Sequence, residues 1–197
     1  MIAASLVRED RIGLLAALTG VGAFVVAVAL VPLVRGTARR FNAVDHPGAG
    51  KMHHGATPYF GGLAIGFAAL VIPPALQGWS REAAYVLIAA AMVSATGLVD
   101  DLRDLHPYSR LGIEVAAALL AVKGGARVQV FGGWMDVTIT VVSIVIVTNS
   151  FNLLDNMDGV AGTIAVATSG ALLTAALLER QVLVSSLSAA VVGGCLG

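Results

Sequence analysis

Long apolar segments, separated by short polar stretches, dominate the 197-residue chain. A membrane-spanning helix needs about 20 mainly apolar residues, because the hydrocarbon core of a bilayer is about 30 Å thick. Six segments fit this pattern, two of them short, and a seventh begins before the chain ends. They are residues 12–34, 59–76, 83–99, 110–122, 137–148, 160–178 and 182–197. The sequence predicts an all-α polytopic transmembrane helix bundle, with six spans and a truncated seventh, as one integral-membrane domain over residues 1–197.

The composition agrees with a lipid bilayer as the chain's surroundings. Hydrophobic residues make up 57% of the sequence and charged residues only 12%, whereas soluble domains carry about 25% charged residues. The formal net charge is zero, which excludes the basic surface that nucleic-acid binding requires. The stretch of residues 124–136 breaks the helical pattern, and its Val128, Val130 and Phe131 predict a short extended stretch or turn. Trp134 fits an anchor at the membrane interface.

Three polar clusters stand at the ends of the apolar segments. The first lies in the loop of residues 44–62 and contains Asp45, Lys51, His53 and His54. The second comprises Asp100, Asp101 and Asp104. The third comprises Asn149, Asn152, Asp155 and Asp158. Carboxylates are costly near a bilayer, so such clusters indicate a functional site.

The second cluster offers hard oxygen ligands at a helix end. On a helix, Asp100 and Asp104 would share a face, and Mg²⁺ usually takes one or two carboxylates together with substrate phosphates. The alternative is a solvated helix end in which Asp104 pairs with Arg103 or Arg110. In the third cluster the polar residues recur every three positions, which predicts a slowly drifting stripe on a helix.

The stripe and the loop also have simpler interpretations. Amide and carboxylate oxygens of the stripe suit a metal or the edge of a base, whereas Asp158 alone could cap the next helix. Glycines in the loop permit a close approach of the backbone to a phosphate, and Lys51 and His53 could neutralise its charge. An ordinary basic loop is the alternative for that segment.

The three clusters are expected on one side of the membrane. Two predicted spans separate the first cluster from the second, and the two short segments 110–122 and 137–148 separate the second from the third. If both short segments span, or if both re-enter, the third cluster shares that side. Flanking positive charges are equal in number on the two sides, and the dense group Arg35, Arg39 and Arg40 favours a cytoplasmic cluster side.

In this order and spacing the clusters resemble the polyprenyl-phosphate N-acetylhexosamine-1-phosphate transferases of glycosyltransferase family 4. The resemblance rests on Asp45-His46-Pro47, Lys51-Met52-His53, Pro58-Tyr59-Phe60-Gly61-Gly62, Asp100-Asp101, and the stripe from Asn149 to Gly159. The pattern departs from the family at Gly50, where an Arg is common, and at Asn156, where a Gly is common. The resemblance implies that the chain is the N-terminal portion of a longer transferase domain and that its cleft is cytoplasmic.

The resemblance also implies a reaction and a set of roles. A sugar-1-phosphate would pass from a UDP-N-acetylhexosamine to undecaprenyl phosphate, releasing UMP and initiating a cell-envelope polysaccharide. The first motif fits the GlcNAc-type branch of the family better, so the transferred group would be GlcNAc-1-phosphate. Asp100 and Asp101 would be the catalytic residues, and either of them could act as the base. Asn152 and Asp155 would hold Mg²⁺, or Mn²⁺ in its place. The substrate-binding residues would be Lys51, His53, Asn149, Asp158 and Asp104.

The resemblance places the protein in the bacterial inner (plasma) membrane as a multi-pass protein, with a homodimer as one option for its assembly. Two other classes remain as alternatives. A CDP-alcohol phosphatidyltransferase would need Asp-Gly-x-x-Ala-Arg and two later aspartates, which do not follow Asp158-Gly159. A cation or proton transporter would place its carboxylates near the bilayer midplane rather than at helix ends.

Overall fold

A computed structural model describes residues 2–40, 44–45, 57–58, 61–103, 105–155 and 159–197. Within these ranges the chain forms seven helices. They are α1 (Ile2–Arg40), α2 (Gly61–Gln77), α3 (Arg81–Arg103), α4 (Pro107–Lys123), α5 (Gly133–Leu154), α6 (Val160–Leu178) and α7 (Val182–Leu196). Two short strands, β1 (Val44–Asp45) and β2 (Thr57–Pro58), pair antiparallel. The predicted all-α architecture is confirmed.

Four helices are long and apolar enough to cross a membrane. These segments are Arg11–Arg40, Arg81–Arg103, Gly133–Leu154 and Val160–Leu178. The helices α2 and α7 are apolar but shorter. A multi-pass membrane protein is therefore supported by length and composition.

The chain divides into two compact units, which are described separately. The first unit contains α1, α2, α6 and α7, and the second contains α3, α4 and α5. In the first unit Ala23, Ala68 and Ala190 form a fully buried cluster. The backbones of α1 and α7 approach so closely that a Cβ at Gly193 would meet the carbonyl oxygen of Gly20. Small residues permit this contact, which is a common basis of helix association in membranes.

The second unit is a succession of three helices in which α4 contacts both α3 and α5. Its core contains Ala89, Ala117 and Ala121, with Met92 and Ile144 packed against them. Pro107 opens α4 at a position where a missing N–H costs nothing. Because α4 and α5 are antiparallel neighbours, the start of α4 lies beside the end of α5.

The boundaries of α5 differ from the prediction, which placed this helix at residues 137–148. The helix begins at Gly133, preceded by Gly132 with φ of 86°, because the Asp136 carboxylate accepts backbone N–H bonds from the chain just before it. It continues to Leu154, beyond the predicted end at residue 148, so Asn149 and Asn152 lie on the helix. The segment before Trp134, predicted as a short extended stretch or turn, is an irregular loop with a bend at Val130 and Phe131. The bounds predicted for α6 are confirmed.

Candidate functional site

The second and third polar clusters meet at one end of the second unit. Asp100 lies in the last turn of α3, Arg110 in the first turn of α4, and Asn149 and Asn152 near the end of α5. The side chain of Arg110 contacts all three helices. It is half-buried, with 21% of its surface exposed, so its guanidinium group is shielded from most solvent while remaining reachable.

Arg110 donates hydrogen bonds through each of its three nitrogens. Nη1 lies 3.1 Å from Asp100 Oδ2, and Nε lies 3.1 Å from Glu114 Oε1. Nη2 lies 2.7 Å from Asn149 Oδ1. A planar guanidinium group with several fixed donors suits this kind of multiple engagement better than the ammonium group of a lysine.

Asn152 faces the same guanidinium group. With its amide oxygen turned toward Arg110, Oδ1 lies 3.1 Å from Nη2 and 3.0 Å from Nη1. In this orientation the amide oxygen accepts from the guanidinium N–H groups, whereas in the reverse one two sets of donors would face each other. Asn152 is exposed, so the Arg110 cluster opens to the surface at this residue.

Glu114 is the buried acceptor of the cluster, with 4% of its side chain exposed. Its Oε1 accepts from Arg110 Nε, and its Oε2 accepts from Asn149 Nδ2 at 2.5 Å. The Asn149 amide also donates to the carbonyl oxygen of Val145 at 2.9 Å. Glu114 therefore fixes the orientation of both Arg110 and Asn149, and it avoids the cost of an unpaired buried charge.

Asp100 connects the cluster to the turn between α3 and α4. Its Oδ1 accepts from the Leu105 backbone N–H at 2.9 Å, while Oδ2 pairs with Arg110. Both oxygens of this carboxylate thus accept hydrogen bonds from the protein. One cation stands between two carboxylates, which leaves the cluster with an excess of negative charge unless a further cation approaches.

The other predicted site residues fall into two groups. Asp101 is exposed in the last turn of α3, and Asp155 is exposed at the C-cap of α5. The remaining four lie outside the described residues: Lys51, His53, Asp104 and Asp158. The structure therefore brings together Asp100, Asn149 and Asn152, with Arg110 at their centre.

Sequence reasoning did not select Arg110 and Glu114 as site residues. Arg110 was weighed only as a flanking charge and as a partner of Asp104. The available signal was a pair of opposite charges four residues apart, Arg110 and Glu114, at the start of an otherwise apolar helix. A carboxylate inside such a helix indicates a functional role by itself.

The carboxylate oxygens at this end are ligands of the type that Mg²⁺ prefers. Asp101 and Asp155 offer exposed carboxylate oxygens at helix ends, and Mg²⁺ usually takes one or two carboxylates with waters and substrate phosphates. Among the described residues, no group of three or more His, Cys, Asp or Glu side chains converges on one point. Substrate oxygens would therefore have to complete the coordination.

Comparison with known proteins identifies the class to which this arrangement belongs. A match to glycosyl transferase family 4 covers residues 83–197, which include the whole of α3, α4 and α5 except the first two residues of α3. The chain belongs to this family. Family membership confirms the resemblance on which the sequence-based prediction rests, and it favours neither of the two alternative classes.

Individual relatives agree with the family. The chain is 32% identical over 191 residues to a probable undecaprenyl-phosphate N-acetylglucosaminyl 1-phosphate transferase of Bacillus subtilis (strain 168), covering 89% of this chain and 53% of the relative. It is 29% identical to a decaprenyl-phosphate N-acetylglucosaminephosphotransferase of Mycolicibacterium smegmatis, covering 78% and 43%. It is 26% identical to an undecaprenyl-phosphate alpha-N-acetylglucosaminyl 1-phosphate transferase of Yersinia pestis, covering 76% and 44%. The chain spans about half the length of these relatives.

Proposed function

We propose that the protein transfers GlcNAc-1-phosphate from UDP-GlcNAc to a polyprenyl phosphate such as undecaprenyl phosphate, in a bacterial plasma membrane with the Arg110 end on the cytoplasmic side. The observation that carries this proposal is the Arg110 cluster, which joins the ends of three helices of a family 4 chain. In the reaction an oxygen of the lipid phosphate forms a bond to the β-phosphorus of the donor. The bond to the bridging oxygen breaks, and UMP leaves with the electron pair.

The two aspartates of α3 take different parts in this proposal. Asp100 accepts hydrogen bonds at both oxygens from Arg110 and the Leu105 N–H, which favours a positioning role. Asp101 is exposed at the same helix end, which favours contact with the lipid phosphate and acceptance of its proton. This division follows from exposure, since Asp100 is half-buried and Asp101 is exposed while the two residues are otherwise identical in chemistry.

Arg110 would position phosphate oxygens through its guanidinium group, whose charge is shared with Asp100 and Glu114, while a bound metal ion would balance the remaining negative charge. Phosphoryl transfer is catalysed mainly by positioning and by neutralising charge on the phosphoryl oxygens. Because Glu114 and Asn149 hold the guanidinium group, Arg110 would be oriented before the substrates arrive. The Asn149 amide is engaged inside the protein, so we assign it to positioning Arg110 rather than to direct substrate contact.

The remaining predicted roles concern the donor substrate. Asn152 and Asp155 would hold Mg²⁺, or Mn²⁺, which when bound supplies charge neutralisation on the pyrophosphate oxygens. This requires the Asn152 amide oxygen to turn from Arg110 toward the ion. Lys51 and His53 would neutralise phosphate, Asp104 would contribute to substrate binding, and Asp158 would accept a hydrogen bond from the uracil.

A transfer assay with the purified protein tests the proposal. UDP-GlcNAc labelled at its β-phosphate is incubated with undecaprenyl phosphate in lipid-containing detergent micelles. We expect the label to enter an organic-soluble lipid product while UMP appears in equal amount, with loss of activity in EDTA and recovery in Mg²⁺. CDP-diacylglycerol with an alcohol acceptor serves as the control donor. Release of the label as UDP or free phosphate, without a labelled lipid, would reject the proposal.

A further inference from the structure

The loop of residues 124–132, which joins α4 to α5, lies at the end of the second unit opposite to the Arg110 cluster. Asp136, in the first turn of α5, is 1% exposed although it carries a carboxylate. Its Oδ1 accepts from the Phe131 N–H at 2.8 Å and from the Val130 N–H at 3.3 Å. A buried side chain thus determines the path of the loop.

Thr140 forms a second attachment. Its hydroxyl donates to the Asp136 carbonyl oxygen at 2.6 Å and accepts from the Val128 N–H at 3.0 Å. At the other end of the loop, the N–H groups of Gly125 and Ala126 donate to carbonyl oxygens in the last turn of α4. The Gly124 N–H likewise donates to the Leu120 carbonyl oxygen, so six backbone N–H groups of this irregular segment are satisfied within the unit itself.

The same geometry turns apolar side chains outward. Val130 is 69% exposed, Phe131 64% and Trp134 76%. Holding large apolar and aromatic groups outward on a fixed loop is unfavourable in water. It is the arrangement expected at the boundary of a bilayer, where aromatic rings are enriched.

Cations surround this apolar tip. Lys123 immediately precedes the loop and Arg127 lies within it. The Lys123 ammonium and the Arg81 guanidinium groups each lie 5.9 Å from the centre of the Tyr85 ring. The nearby acidic group Asp136 is buried beneath the loop. Glu82, beside Arg81 in the first turn of α3, is an exposed acid at this end. Because Lys123, Arg127 and Arg81 outnumber it, the exposed charge is net positive and complementary to lipid phosphates.

We propose that the 124–132 loop and Trp134 form a preorganised membrane anchor, which inserts into the lipid interface of the leaflet opposite to the Arg110 cluster. Irregular backbone is not tolerated in the hydrocarbon region. The loop therefore lies at the level of the headgroups, where water satisfies its carbonyl oxygens. Asp136 and Thr140 satisfy its N–H groups, which lowers the cost of moving this backbone out of bulk water.

Two tryptophans make the proposal directly measurable, because the chain contains no others. In a Trp79→Phe variant, Trp134 is the single reporter, and Trp134→Phe provides the reciprocal control. The 197-residue chain is reconstituted in phosphatidylcholine and phosphatidylglycerol vesicles containing lipids brominated near the top of the acyl chain or near its methyl end. Acrylamide reports access from water, and circular dichroism reports helix content.

We expect Trp134 emission to fall about twofold with bromine near the top of the chain, less with bromine near the methyl end, and little with acrylamide. Removing the attachment in Asp136→Ala should raise acrylamide quenching and weaken lipid quenching. Glu82→Ala, which removes an exposed acid at the start of α3, should change neither.

Two outcomes would overturn the proposal. Full access of acrylamide to Trp134 without quenching by either lipid would place the loop in water. Protection from acrylamide and from both lipids would show that protein covers the tip, as in a second copy of the chain. Because Trp134 lies far along α5 from the Arg110 cluster, these results are independent of the transfer reaction.

Discussion

Arg110 is the residue through which the polar groups of the site are connected. It pairs with acceptors on α3, α4 and α5, so its position depends on three helices at once. A residue in such a network contributes both to folding and to the charge available to a substrate. These two contributions can be separated by substituting Glu114, the buried partner of Arg110, and Asp101, the proposed base, in separate variants.

Glu114→Ala should destabilise the protein, because it leaves the Arg110 guanidinium group and the Asn149 amide without their buried acceptor. Removing one partner of a buried pair typically costs about 3–5 kcal/mol. Unfolding in increasing mole fractions of a denaturing detergent would measure the change, with the exposed Glu82→Ala as the matched control. A loss no larger than that of the control would show that the buried carboxylate does not hold the cluster together.

Asp101→Asn should lower turnover by about 10²–10⁴-fold, the range typical of losing a positioned general base. The amide is nearly isosteric with the carboxylate, so UMP affinity should stay unchanged. Asp100→Asn should instead weaken the attachment of Arg110 and raise the KM for polyprenyl phosphate. Steady-state kinetics with both substrates and calorimetric titration with UMP would distinguish the two aspartates. Near-normal turnover in Asp101→Asn would reject the role assigned to this carboxylate.

At the scale of whole helices, small residues pack the helices against one another within each of the two units. Gly193→Ala should destabilise the first unit by about 1–3 kcal/mol, the usual cost of overpacking. Its new methyl group would meet the backbone of Gly20, which cannot rotate away. Gly170→Ala is the control, because no atom lies within 4 Å of its added Cβ. Equal stability of the two variants, measured by thermal unfolding in detergent, would contradict the close contact of α1 and α7.

The helices were largely predictable from the sequence, whereas their connections were not. Runs of apolar residues bounded by glycine and charge defined α6 to the residue. The start of α5 was missed because Gly132, Gly133 and Trp134 are typical of a turn. The helix start is fixed by local hydrogen bonds from the Val130 and Phe131 N–H groups to the Asp136 carboxylate, which the apolar pattern does not reveal. The end of the α5 span was predicted at residue 148, where the apolar run stops, and the polar stripe that begins at Asn149 was predicted separately on a helix. The structure shows that the two form one continuous helix to Leu154.

The candidate site shows the same division. The carboxylates and amides were predicted to form one polar constellation, since their cost near lipid is visible in the sequence, and the structure brings together Asp100, Asn149 and Asn152 of that set. The bond from Arg110 to Asn149 joins residues 39 positions apart, and no local pattern indicates such a pairing. An arginine at a helix start looks like an ordinary flanking charge until the neighbouring helices are in place.

At the scale of the molecule, the second unit has two ends with different chemistry. One end carries Arg110, Asp100 and the stripe of α5, and the other carries the apolar loop before Trp134. The helix α5 has 22 residues, which at about 1.5 Å per residue matches the hydrocarbon thickness. This separation is what a transferase needs if its soluble donor and its lipid acceptor meet at one membrane face.

The charge of Arg110 provides the most direct test of the account. We expect Arg110→Met to lower kcat/KM for polyprenyl phosphate by about 100-fold or more, in the range found when one charge-stabilising group is removed from an active site. Arg35→Met, which changes an exposed arginine of α1, should alter it less than twofold. The measurement is the rate at which the labelled β-phosphate of UDP-GlcNAc enters undecaprenyl phosphate. Transfer at the wild-type rate by a fully helical Arg110→Met protein would contradict the assignment of this cluster as the site of transfer.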